Sequence, residues 1–185
     1  MQQLIKQTKP EFFFDIGAHA GLYSLLAINN YSEMEVHAFE PDLQDLSQRY
    51  ANLYLNRLYY TVNIHTTAIS SISGTTYLER SDGTSRATRH IVSEGDYEVK
   101  VCKFDDMFSD KFKRAFFKID VEGFEFEVIE GAMEYLSENE CILLIESFPP
   151  KFEKLNKKMS NLGYKEVEFS GNQDDHIFIN FELIL

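Results

Sequence analysis

Four carboxylates stand at the ends of apolar runs: Asp15 after Phe12-Phe13-Phe14, Glu40 after Glu35–Phe39, Asp120 near the end of Ala115–Val121, and Glu146 after Cys141–Ile145. Acidic side chains are seldom buried without partners, so packing alone explains this placement poorly. If the runs are parallel strands, the acids lie along their carboxyl edge, where open α/β sheets bind ligands. Carboxylates there can accept hydroxyl groups, face a cationic ligand or take up a proton.

The segment Asp15-Ile-Gly17-Ala18-His19-Ala-Gly21 is a glycine-rich turn. It departs from the Gly-x-Gly-x-x-Gly of a dinucleotide phosphate site, because His19 occupies the middle glycine position, where a pyrophosphate needs close backbone approach. Glu40 follows Gly21 by 19 positions, where an acid closing the second strand takes ribose hydroxyls. Together these features describe a nucleoside cofactor that lacks a pyrophosphate. Singly, each has a plainer explanation. A glycine turn after a strand is often only a turn, and Glu40-Pro41 could simply complement a helix dipole.

In an extended segment, side chains at i, i+2 and i+4 share a face, so Lys118, Asp120 and Glu122 are predicted to line up together. Asp120 is assigned to positioning the cofactor or acceptor. Glu122 is assigned to hydrogen-bonding or deprotonating the acceptor, with Glu146 as its alternate. The plainer alternative is that Glu122 complements its helix and Lys118 pairs with an acid. No metal site is read: His19, His65 and His176 lack ligand spacing, and Cys102 and Cys141 lack partners. A divalent cation on the acids is the weaker variant.

The elements that must hold these residues follow from periodicity. After the turn, Leu22, Leu25 and Leu26 mark a helix ended by Asn29-Asn30. Leu43, Leu46, Tyr50 and Leu53 form one apolar helical stripe after Pro41. Val62–Ala68 reads as a third strand. From about Ser70 to Lys103 the chain is polar, with strand-like pieces at Thr75–Leu78 and Tyr97–Val101 and a loop around Ser81–Arg89. That loop gathers Arg80, Arg86, Arg89 and His90, which either approach a negatively charged acceptor or are merely solvated. Phe124, Val128, Ala132 and Leu136 mark the next helix. Phe152, Leu155, Met159 and Leu162 mark another, stopped by Gly163. Strands Tyr164–Phe169 and His176–Leu183, joined through Gly171-Asn172, suit a hairpin. The alternation predicts an α/β chain with a mostly parallel seven-stranded sheet, helices on both faces, a C-terminal antiparallel hairpin strand and a β-rich excursion between strands 3 and 4.

The 185 residues are read as a single domain, 1–185, since no linker divides them. A formal net charge of −12 disfavours nucleic acid as substrate, because that affinity comes from neutralising phosphates with Lys and Arg. Two isolated cysteines suggest free thiols in a reducing compartment. The polar start Met1–Pro10 lacks a signal-peptide core, and no run has the ~20 apolar residues of a membrane span. A cytoplasmic protein is expected. Nothing in the pattern fixes an oligomeric state.

Phe14-Asp-Ile-Gly-Ala-His-Ala-Gly-Leu-Tyr-Ser24 resembles the first motif of the FkbM-type methyltransferases, in which Asn more often stands at the position of His19. Ala38-Phe-Glu-Pro41 resembles the second. Asn52 with Leu55-Asn56, Ala68-Ile-Ser70 with Gly74, and Phe104-Asp105 follow in the family's order. Lys118-Ile-Asp-Val-Glu-Gly-Phe-Glu125, continuing to Glu127-Val-Ile-Glu-Gly131, is the most specific match. The likeness runs from about residue 12 to 146. It implies a Rossmann-like class I methyltransferase fold, S-adenosyl-L-methionine as cofactor, and O-methylation of a sugar, glycan or small-molecule secondary metabolite. It also implies that Asp15, Gly17, Ala18 and Gly21 line the methionine side, that Glu40 with Pro41 takes the ribose, and that Ala68 lies near the adenine, with Asp120 completing the cofactor set. The alternatives are an N-methyltransferase of small molecules and a non-catalytic cofactor-binding relative. A nicotinamide-dependent oxidoreductase is disfavoured by the missing middle glycine.

Overall fold

The structure is a computed structural model that describes residues 1–58, 61–80, 89–92, 95, 97–168 and 173–183, with the backbone alone at 44, 45, 79, 80 and 89–92. The polar N-terminal stretch forms a short helix, α1 (Gln2–Thr8). The alternating half follows as β1 (Phe12–Ile16), α2 (Leu22–Asn30), β2 (Glu35–Phe39), α3 (Leu43–Leu55) and β3 (Val62–His65). The excursion contains β4 (Thr67–Ile69), β5 (Gly74–Arg80), β6 (Arg89–Val92) and β7 (Tyr97–Cys102). Alternation resumes with β8 (Arg114–Ile119), α4 (Glu125–Gly131), α5 (Met133–Glu138), β9 (Glu140–Glu146) and α6 (Lys151–Asn161). The hairpin strands β10 (Lys165–Val167) and β11 (Asp175–Ile179) end the fold. Gly171-Asn172, the expected turn, lies outside the described residues.

The main sheet has seven strands in the order β10-β11-β9-β8-β1-β2-β3. All pairs from β9 through β3 are parallel, and β11 joins β9 antiparallel. The chain builds outward from β1 to β3, then returns beside β1 as β8 and builds the other way. That reversal falls at the carboxyl ends of β1 and β8, the position at which open sheets bind ligands.

Strict alternation divides the core between the faces. Phe14, Ile16, Phe117, Ile119, Leu143 and Ile145 point to the face covered by α4, α5 and α6. Phe13, Val36, Phe116, Ile142 and Leu144 point to the face covered by α1, α2 and α3. Asp15 and Lys118, adjacent in register, therefore project toward α2 beside the second set.

Several elements differ from the periodicity reading. The run Val62–Ala68 divides: β3 stays in the main sheet, while β4 pairs in parallel with β7 in a separate four-stranded sheet, β4-β7-β5-β6. The helix expected from Phe124 to Leu136 breaks at Ala132. A Cβ on Gly131 would stand 2.0 Å from the Ser70 carbonyl oxygen, so α4 ends pressed against the exit of β4. Asp105 then starts α5, its carboxylate accepting the Glu134 and Tyr135 N–H groups at 2.9 and 3.0 Å. On α3 the buried face holds Arg49 and Leu53, while Leu43 and Tyr50 are 64% and 50% exposed.

Candidate active site

The turn after β1 is wired into its neighbours on every side. Gly17 and Ala18 both donate their N–H to the Phe39 carbonyl at 2.9 Å. His19 N–H donates to Glu40 Oε2 at 3.1 Å, and Gly21 N–H to the Ala18 carbonyl at 2.7 Å. From α3, Arg49 Nε donates to the His19 carbonyl at 2.7 Å and Asn52 Nδ2 to the Ala20 carbonyl at 2.9 Å. Gly17, His19 and Gly21 all have left-handed φ values, 83°, 43° and 79°. Asn and His are the larger residues that tolerate this conformation best, so His19 fits a place where Asn is more usual. Gly17 has a second constraint: a Cβ there would lie 1.8 Å from the Asp120 carbonyl oxygen. The turn thus crosses directly over the exit of β8, and Asp120 N–H donates to the Ile16 carbonyl at 3.0 Å.

Glu40 closes β2 and joins two segments. Besides His19, it accepts the Asp42 N–H on Oε1 at 2.9 Å, at the start of α3. Its own N–H reaches the His65 carbonyl at 3.0 Å, which ties it to β3. Pro41 lies half-buried beside it, and Ala68 is buried on β4.

Asp15 has no exposed surface. Its Oδ2 accepts the Ser24 N–H at 2.9 Å and the Ser24 hydroxyl at 2.6 Å, while Oδ1 has no hydrogen-bond partner. Burial pushes its pKa up to about 6, opposed by the Ser24 bonds and by the positive charges of Lys118 and Arg49.

Next to it, Lys118 Nζ lies 3.5 Å from Asp120 Oδ2 and 4.0 Å from both Glu146 Oε2 and Asp175 Oδ1. The Tyr23 ring of α2 covers this ammonium at 5.0 Å. Glu146 is pushed up to about 7, by burial first and then by the neighbouring Asp120, against the pull of Lys118.

Of the acids singled out from sequence, Asp120 and Glu146 come together at Lys118. Glu122 lies beyond the end of β8 in a left-handed turn with φ 51°, so the alternation that aligns Lys118 with Asp120 stops before it. Asp15 and Glu40 flank the glycine turn from below and beside. Arg86 lies outside the described residues, while Arg80 and Arg89 are paired in backbone register between β5 and β6.

Sequence reasoning passed over Tyr23, Ser24, Arg49 and Asp175. A lysine between Phe117 and Ile119 in a central strand was the available signal for a charged cluster. Asp175 had none, because its place depends on the register of the hairpin. Among the described residues, no group of three or more His, Cys, Asp or Glu side chains is placed to hold a metal ion, and no helix is long and apolar enough to cross a membrane.

Residues 15–166 match the family described as the methyltransferase FkbM domain. A solved FkbM methyltransferase from Methylobacillus flagellatus KT superposes with a TM-score of 0.64 at 17% identity, covering 92% of this chain and 43% of that one. The chain therefore spans less than half the length of that protein. A ribosomal protein L11 methylase from Lactobacillus delbrueckii subsp. bulgaricus has a TM-score of 0.57 at 11% identity, covering 96% of this chain and 75% of that one. A SAM-dependent O-methyltransferase from Thermotoga maritima has a TM-score of 0.57 at 12% identity, covering 96% and 63%. At such identities the likeness is one of fold, the Rossmann-like fold of methyltransferases. A search of curated proteins found no match.

Proposed function

The chain belongs to the FkbM methyltransferase family, and from that premise we propose that it transfers a methyl group from S-adenosyl-L-methionine to a hydroxyl of a sugar, glycan or small secondary metabolite. The observation that carries the cofactor reading is the wiring of the turn. The N–H groups of Gly17, Ala18, His19 and Gly21 are all committed inside the chain, so they offer no cradle to a pyrophosphate. The residues present suit a cationic nucleoside instead. Asp15 keeps a buried Oδ1 without a hydrogen-bond partner, and Asp120 and Glu146 stand partly exposed at the carboxyl ends of β8 and β9.

In this reading Asp15, Gly17, Ala18 and Gly21 line the methionine side, Glu40 with Pro41 takes the ribose, Ala68 lies toward the adenine, and Asp120 serves cofactor and acceptor alike. A carboxylate oxygen can accept two hydrogen bonds, so ribose hydroxyls can add to the backbone bonds that hold Glu40. When bound, the cofactor supplies a methyl already activated on a sulfonium. The chain's part is then alignment, exclusion of water and acceptance of the hydroxyl proton by a carboxylate at the ends of β8 and β9. Glu122 and Glu146 are the candidates for that last role. The rigid turn serves alignment, since its backbone is bound from both the N–H and the carbonyl side.

A screen of methyl-labelled cofactor against sugars, lipid-linked glycans and polyketide-like alcohols tests the reading. Label should appear in an O-methyl ether. Replacement of the proton acceptor by Gln should slow single-turnover transfer about 10²–10⁴-fold, the usual share of a general base. Label on nitrogen would replace the hydroxyl by an amine, and cofactor binding without any transfer would mark a non-catalytic relative.

A further inference from the structure

Lys118 is 1% exposed, and its Nζ makes no hydrogen bond with the described residues. An ammonium carries three donors, and burying them unused is costly. Around it stand three partly exposed carboxylates from three different stretches of chain: Asp120 after β8, Glu146 at the end of β9 and Asp175 at the start of β11. Asp175 and Glu146 are directly paired in the antiparallel ladder, which sets the two carboxylates side by side. Asp175 lies on the C-terminal hairpin, beyond residues 15–166 matched by the family.

We propose that Lys118 and Asp175 are positioning residues that hold Glu146, rather than Glu122, as the proton acceptor for the incoming hydroxyl. The identity of that hydroxyl rests on the methyl-transfer reading above; the cluster itself does not.

The argument is electrostatic and geometric. Burial raises Glu146 first, and the like charge of Asp120 beside it adds to this, so Glu146 holds its proton to a higher pH than an isolated carboxyl would. Lys118 opposes this by favouring the charged forms, and Asp175 reinforces it. The net effect leaves Glu146 near 7, where a base both exists in its charged form and still binds a proton well. The charged and titratable groups facing this cluster are Lys118 and Asp120 from β8 and its exit, Asp175 from β11 and Tyr23 from α2, with Asp15 of β1 acting on Lys118 and the Met1 amino group on Asp175. The acceptor's O–H bond breaks toward Glu146. The oxygen pair so released bonds the methyl carbon, and the carbon–sulfur pair stays on the sulfur of the sulfonium donor.

The test needs no acceptor. Carboxyl ¹³C shifts of the labelled full chain are followed against pH, with the Glu146 resonance identified through Glu146→Gln. Glu146 should titrate near 7 in the unmodified protein. Its midpoint should rise by about one pH unit in Lys118→Met, where a stabilising cation is lost, and fall by about half a unit or more in Asp175→Asn. Asp175 is 20% exposed, so Asp175→Asn decides the matter if Lys118→Met fails to fold. A Glu146 midpoint in the ordinary carboxylate range, or one that neither variant moves, overturns the proposal. Calorimetric titration with S-adenosylhomocysteine runs beside it. Failure of that ligand to bind would defeat the methyl-transfer reading, while the midpoints would still decide the cluster.

Discussion

A carboxylate with no exposed surface needs partners, and Asp15 has one oxygen bound twice by Ser24 and one bound by nothing. Its pKa is raised from 3.8 to about 6, so holding it ionised costs about 3 kcal/mol at roughly 1.4 kcal/mol per unit. Between these two values the folded chain binds a proton that the unfolded chain has lost. Stability on this account falls as pH rises from about 4 to about 6 and is level above that. His65 acts in the opposite sense: burial lowers its pKa from 6.5 to about 4, so its contribution is lost as pH falls through that window. The two partly cancel, and only a difference between variants isolates either one. Asp15→Asn keeps an oxygen for Ser24 and removes the charge. Its melting temperature relative to the unmodified protein should be higher at pH 8 than at pH 4, with weaker binding of S-adenosylhomocysteine. A stability difference that does not change with pH would mean Asp15 is not held ionised at a cost. Asp15 and Glu40 stand out in the sequence as candidates because each ends an apolar run. Lys118 was legible as a neighbour of Asp120, but not its proximity to Glu146 and Asp175, which come from two other strands.

Among the elements, strand–helix alternation was readable because a parallel sheet covered on both faces leaves a strong apolar signal in every strand. The exceptions have local causes. Tyr50 was the better apolar residue for the α3 stripe, yet Arg49 is buried because the turn's carbonyl at His19 draws its Nε inward. The break between α4 and α5 comes from a contact over 60 residues away in sequence, Gly131 against Ser70, which periodicity cannot report. Gly131→Ala should push α4 away from the exit of β4, at about 1–3 kcal/mol for a methyl forced into a packed contact. For a chain of this size that corresponds to a melting point lower by roughly 3–10 °C, measurable by circular dichroism. An unchanged melting point would show that the two segments part without loss.

For the molecule as a whole, the reversal of strand order between β1 and β8 puts the glycine turn, Glu40 and the Lys118 cluster along one edge. The edge is readable in the sequence, since the first strand of each half runs into an acid, Asp15 in β1 and Asp120 just after β8. The contribution of the hairpin is not, because Asp175 enters through a register that no local pattern fixes. The central claim is that this edge binds a nucleoside cofactor without a pyrophosphate and holds its ribose through Glu40. Calorimetric titration of the unmodified protein, Glu40→Gln and Glu40→Ala with S-adenosylhomocysteine, each repeated with NAD as competitor, tests it most directly. The account predicts saturable binding of S-adenosylhomocysteine that NAD does not displace, weakened in Glu40→Ala by about 1.5–3 kcal/mol, or roughly 10- to 150-fold. Displacement by NAD, or an affinity unchanged in both Glu40 variants, would contradict it.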